Sequence, residues 1–165
     1  MKKIYFPMMV TILLATSCQM KTKTGPFDAV AAKAEVTKTL DSLDAALKSK
    51  DAKAFLSFYT EDGLYCGTDP MELWDKSDFS KEITNMMADT AKFSDMTVTE
   101  RKILFDKSGT SVNVLRQFAT KWSNPIEVRS TMHLVKEENA WRINFSSLAL
   151  VPENKDLPKL AAAVK

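Results

Sequence analysis

The chain holds one histidine, His133, in the stretch RSTMHLVKEENAWRINFSS, with Arg129 four residues ahead of it. An imidazole titrates near neutral pH and can take or give a proton, so His133 is a candidate base. Two carboxylates, Asp69 and Glu72, sit close together in GTDPMELW. Such a pair can share acid–base work, and the same residue types also cap turns and helices. Cys66, in an apolar stretch, reads as a small hydrophobe rather than a nucleophile. One histidine and scattered carboxylates offer no recognisable metal-ligand spacing, so no metal is expected. With no glycine-rich phosphate loop and no nucleophile elbow, no cofactor is expected either.

The ends of the chain bear on where this chemistry would take place. MKK is a basic start, IYFPMMVTILL is apolar, and ATSC closes the run with small residues before Cys18. That layout is a secretory signal, and the apolar run is short for a spanning helix. Ala15-Thr16-Ser17-Cys18 resembles the lipobox of bacterial lipoproteins, apart from an alanine where leucine is most often found. The resemblance implies that residues 1–18 are a signal peptide and that Cys18 is lipidated. The chain would then be tethered to the membrane by lipid, each buried methylene contributing roughly 0.8 kcal/mol. Gln19, which is not an acidic retention signal, favours an outer-membrane lipoprotein facing the periplasm. With Cys18 lipidated, Cys66 has no partner for a disulfide within the chain.

The sequence has 165 residues and a formal charge of +2. Removing Lys2 and Lys3 with the signal leaves 21 basic side chains against 21 acidic ones. Nucleic-acid binding usually needs a basic face, so no nucleic-acid partner is expected.

Residues 19–28, polar and marked by Gly25-Pro26, read as a tether. Val36, Leu40, Leu43 and Leu47 then form one stripe of a helix. Asp51 can cap a second, short helix. Glu61-Asp62-Gly63 predicts a turn, and LYCG a short strand. Ser77 can cap a third helix with Phe79, Ile83, Met86 and Met87 on one side. From about residue 93 the period changes to two, predicting strands over 94–105, 110–122, 126–136 and 140–150. Helices followed by antiparallel strands predict one α+β domain over 29–151. Residues 152–165 read as a polar, proline-marked, loose tail.

This order resembles the nuclear transport factor 2-like superfamily, in particular its SnoaL-like branch. The carrying residues are LDAALKSKDAKAFLSFYTEDG and RSTMHLVKEENAWRINFSS, and the resemblance spans roughly residues 30 to 151. It implies a cone-shaped curved sheet wrapped around three helices, with a mouth that can hold a small molecule. Members include ketosteroid isomerase, cyclases, dehydratases and dimeric transport factors, so the fold does not choose the function. By the same resemblance, the isomerase's tyrosine and two aspartates correspond to about Leu43, Gly67 and Met132. Its three polar groups are therefore missing. SnoaL-like relatives carry histidines at positions corresponding to about Phe145 and Ser147.

A tight turn at Glu138-Asn139 would pair Glu137 with Ala140, Leu134 with Ile143, Met132 with Phe145 and Ser130 with Ser147. His133 would pair with Asn144 and Thr131 with Ser146. This register gathers apolar residues on one face and polar ones on the other, and it turns His133 outward. The expected lining of the cone is Tyr65, Trp74, Ser130, Met132, Phe145 and Ser147, mostly apolar with a few hydroxyls. The leading expectation is a lipid-anchored domain that binds a small apolar or amphipathic molecule without catalysis. The alternatives are an enzyme of the cyclase, dehydratase or isomerase type using Asp69, Glu72 or His133, and a structural module dimerising through the outer sheet face.

Overall fold

The computed structural model describes residues 27–89 and 96–164. The expected signal peptide, Cys18 and residues 19–26 of the tether lie outside them. The first helix, α1 (Ala29–Ser49), buries the predicted stripe Val36, Leu40, Leu43 and Leu47. Asp28 starts it by accepting the N–H groups of Val30 and Ala31. Lys50 ends it in the left-handed region, at φ 57°. Asp51 then caps α2 (Ala52–Leu56) through the Ala54 N–H, as its position predicts.

The third helix, α3 (Lys76–Ala88), is capped by Asp75 and not by the expected Ser77. Asp75 Oδ1 accepts the Asp78 N–H at 2.9 Å, while Ser77 lies in the first turn. Asp75→Ala should cost about 1 kcal/mol, whereas Ser77→Ala should be close to neutral; thermal melts of the two variants compare them. Lys76 ties α3 to the end of α2. Its Nζ donates to the carbonyls of Leu56 at 2.6 Å and Tyr59 at 2.8 Å. Burial lowers the pKa of this ammonium.

Six strands follow the order β2-β1-β6-β5-β4-β3 in one curved, unclosed sheet. They are β1 (Tyr59–Cys66), β2 (Leu73–Trp74), β3 (Thr97–Phe105), β4 (Ser111–Ala119), β5 (Glu127–Glu137) and β6 (Ala140–Val151). The predicted turn at Glu61-Asp62-Gly63 is instead an irregular part of β1. There β1 advances from Tyr59 to Leu64 while its partner advances only from Ile143 to Phe145. A side chain at Gly63 would put its Cβ 2.1 Å from the Tyr65 hydroxyl, so the bulge needs glycine. β1 runs parallel to β6, and the other pairs are antiparallel.

The helices cover one face of the sheet, and the core lies between. Tyr59, Tyr65 and Phe79 pack with ring centroids 4.6–5.0 Å apart. Ion pairs from Glu35, Asp41 and Asp44 pin α1 across the sheet. Glu35 accepts from Lys136 Nζ at 2.6 Å and Trp141 Nε1 at 3.1 Å. The Lys136 bond, more than any other contact, holds the Glu35 carboxyl below its usual range. Asp44 accepts from Arg116 on β4 and, at 3.0 Å, from Arg101 on β3. The chain end, expected to be loose, forms a short helix, α4 (Leu157–Ala163), with no buried residue.

The β5–β6 hairpin departs from the predicted register. Glu137 faces Ala140 and Leu134 faces Ile143, as expected. Beyond that point His133 faces Phe145, Met132 faces Ser146, Thr131 faces Ser147 and Ser130 faces Leu148. Asn144 is the extra residue of a bulge. The slip turns Ser146 and Leu148 toward the helices and Phe145 and Ser147 away from them, because each added residue exchanges the two faces.

Candidate functional site

A cavity of about 290 Å³ opens between α1, α3 and the inner sheet face. The helices contribute Leu47, Phe79, Ile83, Met86 and Met87. The sheet contributes Tyr59, Trp74, Arg116, Phe118, Ser130, Ser146 and Leu148. Cys66, Gly67, Thr68 and Glu72 line its edge, as does Trp122 from the β4–β5 connection. The lining is mostly apolar, with a few polar groups on one wall, the usual make-up of a small-molecule site. Burial raises the pKa of the Tyr59 phenol well above its ordinary value, so it stays protonated.

Trp74 and Ser130 thus line the cavity. Tyr65 and Met132 belong to the packed core beside it, with 0% and 1% exposure. The Tyr65 hydroxyl donates to the Thr60 carbonyl at 2.7 Å. Phe145 and Ser147 lie on the opposite sheet face, a correction of the predicted orientation that follows from the Asn144 bulge. Cys66 is half-buried at the cavity edge, not enclosed in the core.

The two loop carboxylates serve the backbone. Glu72 Oε2 accepts the N–H groups of Thr68 at 2.7 Å and Asp69 at 3.0 Å. Asp69 Oδ1 accepts the Met71 N–H at 2.9 Å. Gly67 permits the fold-back, since a Cβ there would lie 2.0 Å from Glu72 Oε2. His133 sits on the outer face, half-buried, with Nδ1 2.6 Å from Asn144 Oδ1. The fold therefore does not bring Asp69, Glu72 and His133 together.

The polar group missing from the expected lining is Arg116. It is 6% exposed, its Nη1 donates to Asp44, and its Nε has no acceptor among the described residues. Val112, Val114, Arg116 and Phe118 alternate on β4, and all four are buried. An arginine in that apolar series is the signal that marks an inward charge. Ser146 carried no such signal, because only the bulge turns it inward.

A family model for the SnoaL-like domain matches residues 36–151. The chain belongs to this family. Solved structures agree in fold. One is a protein of unknown function from Pectobacterium atrosepticum, 16% identical, with a TM-score of 0.64 over 74% of this chain and 92% of that one. Another is an NTF2-like protein of unknown function from Pseudomonas putida, 12% identical, with a TM-score of 0.62 over 77% and 92%. A third is a scytalone dehydratase candidate from Novosphingobium aromaticivorans, 13% identical, with a TM-score of 0.59 over 74% and 86%. Identities this low establish the SnoaL-like fold and nothing about a reaction. No curated protein matches the chain.

Proposed function

We propose that this SnoaL-like domain binds a small apolar or amphipathic molecule in the cavity between its helices and sheet. The supporting observation is an open, mostly apolar space with Arg116, Ser130 and Ser146 on the sheet wall and Thr68 and Glu72 at its edge. A dehydratase-like reading, prompted by the Novosphingobium relative, would need a free acid–base pair. The bonds of Glu72 to loop N–H groups and the outward position of His133 favour binding. We further propose that lipidation at Cys18 holds the domain at the bacterial envelope.

N-phenyl-1-naphthylamine, an uncharged apolar dye, tests the binding reading. Its fluorescence should rise saturably with one site per chain. Trp74 and Trp122 line the cavity, so their emission should be quenched in step. Met86→Trp should fill the cavity and weaken the dye by at least about tenfold while the melting temperature stays close to the parent's. A dye signal absent from the parent, or unchanged in a folded Met86→Trp variant, would overturn the proposal.

A further inference from the structure

Arg116, Ser130 and Ser146 stand together on the sheet wall of this mostly apolar cavity. Arg116 on β4 lies directly opposite Ser130 on β5, and Ser130 lies opposite Leu148 on β6. Ser146 is two residues before Leu148 and faces Met132, which puts it on the diagonal from Ser130. Directly opposite side chains have Cβ atoms about 5 Å apart, and diagonal ones remain within reach of long side chains. Arg116, Ser130 and Ser146 are 6%, 2% and 8% exposed, and all three line the cavity.

Arg116 is bonded through Nη1 to Asp44. The Nε–H of Arg116 has no acceptor, and neither serine hydroxyl has a partner among the described residues. Buried polar groups in folded proteins are normally paired, and leaving one unpaired costs free energy. Arg116 Nε is one of two such buried nitrogens among the described residues, the other being Arg129 Nε away from the cavity. The row of Arg116, Ser130 and Ser146 against one space gives a partner from outside the chain a place to bond.

The chemistry of the row selects that partner. A guanidinium has donors only, and a serine hydroxyl can donate. What they share is a need for acceptor oxygens. The charge balance points the same way. Arg116 and Arg101 both lean on Asp44, and Arg101's second carboxylate, Asp41, has a side chain 62% exposed and so is screened by water. Glu72, the other charged residue of the lining, sits at the edge with Oε2 already accepting two N–H groups. Arg116 is thus the one basic group among the described lining residues, held from outside the lining by Asp44. A carboxylate offers two oxygens with about four acceptor sites and suits an arginine better than any neutral head.

We infer that the ligand is an apolar carboxylic acid, bound as its carboxylate against Arg116, Ser130 and Ser146 with its apolar body among Phe79, Met86 and Phe118. This rests on the binding reading above and makes it specific. It assigns Arg116 as the residue that selects the head group.

The test uses the full chain and three probes with the same alkyl tail: decanoate, decanol and decylamine. Each competes with the naphthylamine dye. Decanoate should bind tighter than decanol by on the order of tenfold to a hundredfold, as expected for a hydrogen bond to a charged group. Decylamine should be the weakest. Arg116→Met should erase the preference for decanoate and leave decanol within about threefold. Should Arg116→Met unfold the chain, the double variant Ser130→Ala, Ser146→Ala provides the second reading, with decanoate weakened at least about fivefold more than decanol. Equal binding of decanoate and decanol to the parent would overturn the inference while leaving the binding proposal intact. So would a decanoate preference that survives in whichever variant folds. A dye that never binds would remove both.

Discussion

Asp44→Ala should lower the unfolding free energy by roughly 3 kcal/mol, read as a fall in the urea midpoint at an unchanged slope. Among the described residues Asp44 is the one carboxylate bonded to Arg116, whose side chain is 7% exposed, and it also holds Arg101. Without it, the Arg116 charge stays inside with no counter-ion. A buried charge stripped of its partner is much costlier than an exposed pair is stabilising. Asp41 provides the contrast. It pairs with Arg101 at 2.8 Å, but its side chain is 62% exposed. Asp41→Ala should cost less than about 1 kcal/mol. The double variant Asp44→Ala, Arg116→Met should recover most of the loss, because it removes the stranded charge itself. If Asp44→Ala and Asp41→Ala cost the same, burial of Arg116 is not what makes Asp44 important.

That recovery would also say something about why the pair exists. A buried ion pair is weak support for stability, and an apolar replacement is often as good. Under the proposed carboxylate site, Arg116 in its apolar slot of β4 would serve binding rather than stability. Stability and binding are thus separable in the same residue. Arg116→Met in the Asp44→Ala background should restore the fold and lose carboxylate selectivity.

Most of the fold was legible because its signals are local. The stripe of α1 depends only on helical spacing, and the four residues it names are buried. Asp51 caps α2 through a bond that spans three residues. The four long strands β3 to β6 begin and end close to the expected positions, since turn residues and alternation bound them, whereas β1 starts five residues before the expected LYCG and β2 was not expected. What failed is non-local. The bulge at Asn144 and the irregular stretch of β1 face each other across the parallel β1–β6 pair. The carbonyl of Asn144 lies 2.7 Å from where a Gly63 Cβ would be. Neither distortion makes sense without the other strand, so strict alternation placed Phe145 inward and Ser146 outward.

The site was half legible for the same reason. Trp74 and Ser130 line the cavity. Asp69 and Glu72 were weighed as chemistry, yet their geometry is that of a loop holding its own N–H groups. Arg116 could have been singled out from its inward slot in the β4 alternation. Its counter-ion, 72 residues away on α1, could not.

Leu43→Ala is the second large effect, expected to cost about 3 kcal/mol within the 2–5 range for such truncations. Leu43 is fully buried, one helix position before Asp44, and belongs to the central core. By the family resemblance it stands where ketosteroid isomerase carries its tyrosine. In this chain the position supplies packing alone. Truncation would remove buried methyl groups and leave a void, since α1 is held on both sides by Glu35 and Asp44 and cannot settle inward freely. Leu43→Met, which conserves volume, should cost under about 1.5 kcal/mol. Urea unfolding of the two variants separates volume from chemistry. Equal losses for alanine and methionine would mean that shape, not filled volume, governs this contact. A loss under about 1 kcal/mol for alanine would mean that α1 relaxes into the gap, and that the helix is less firmly pinned than its ion pairs imply.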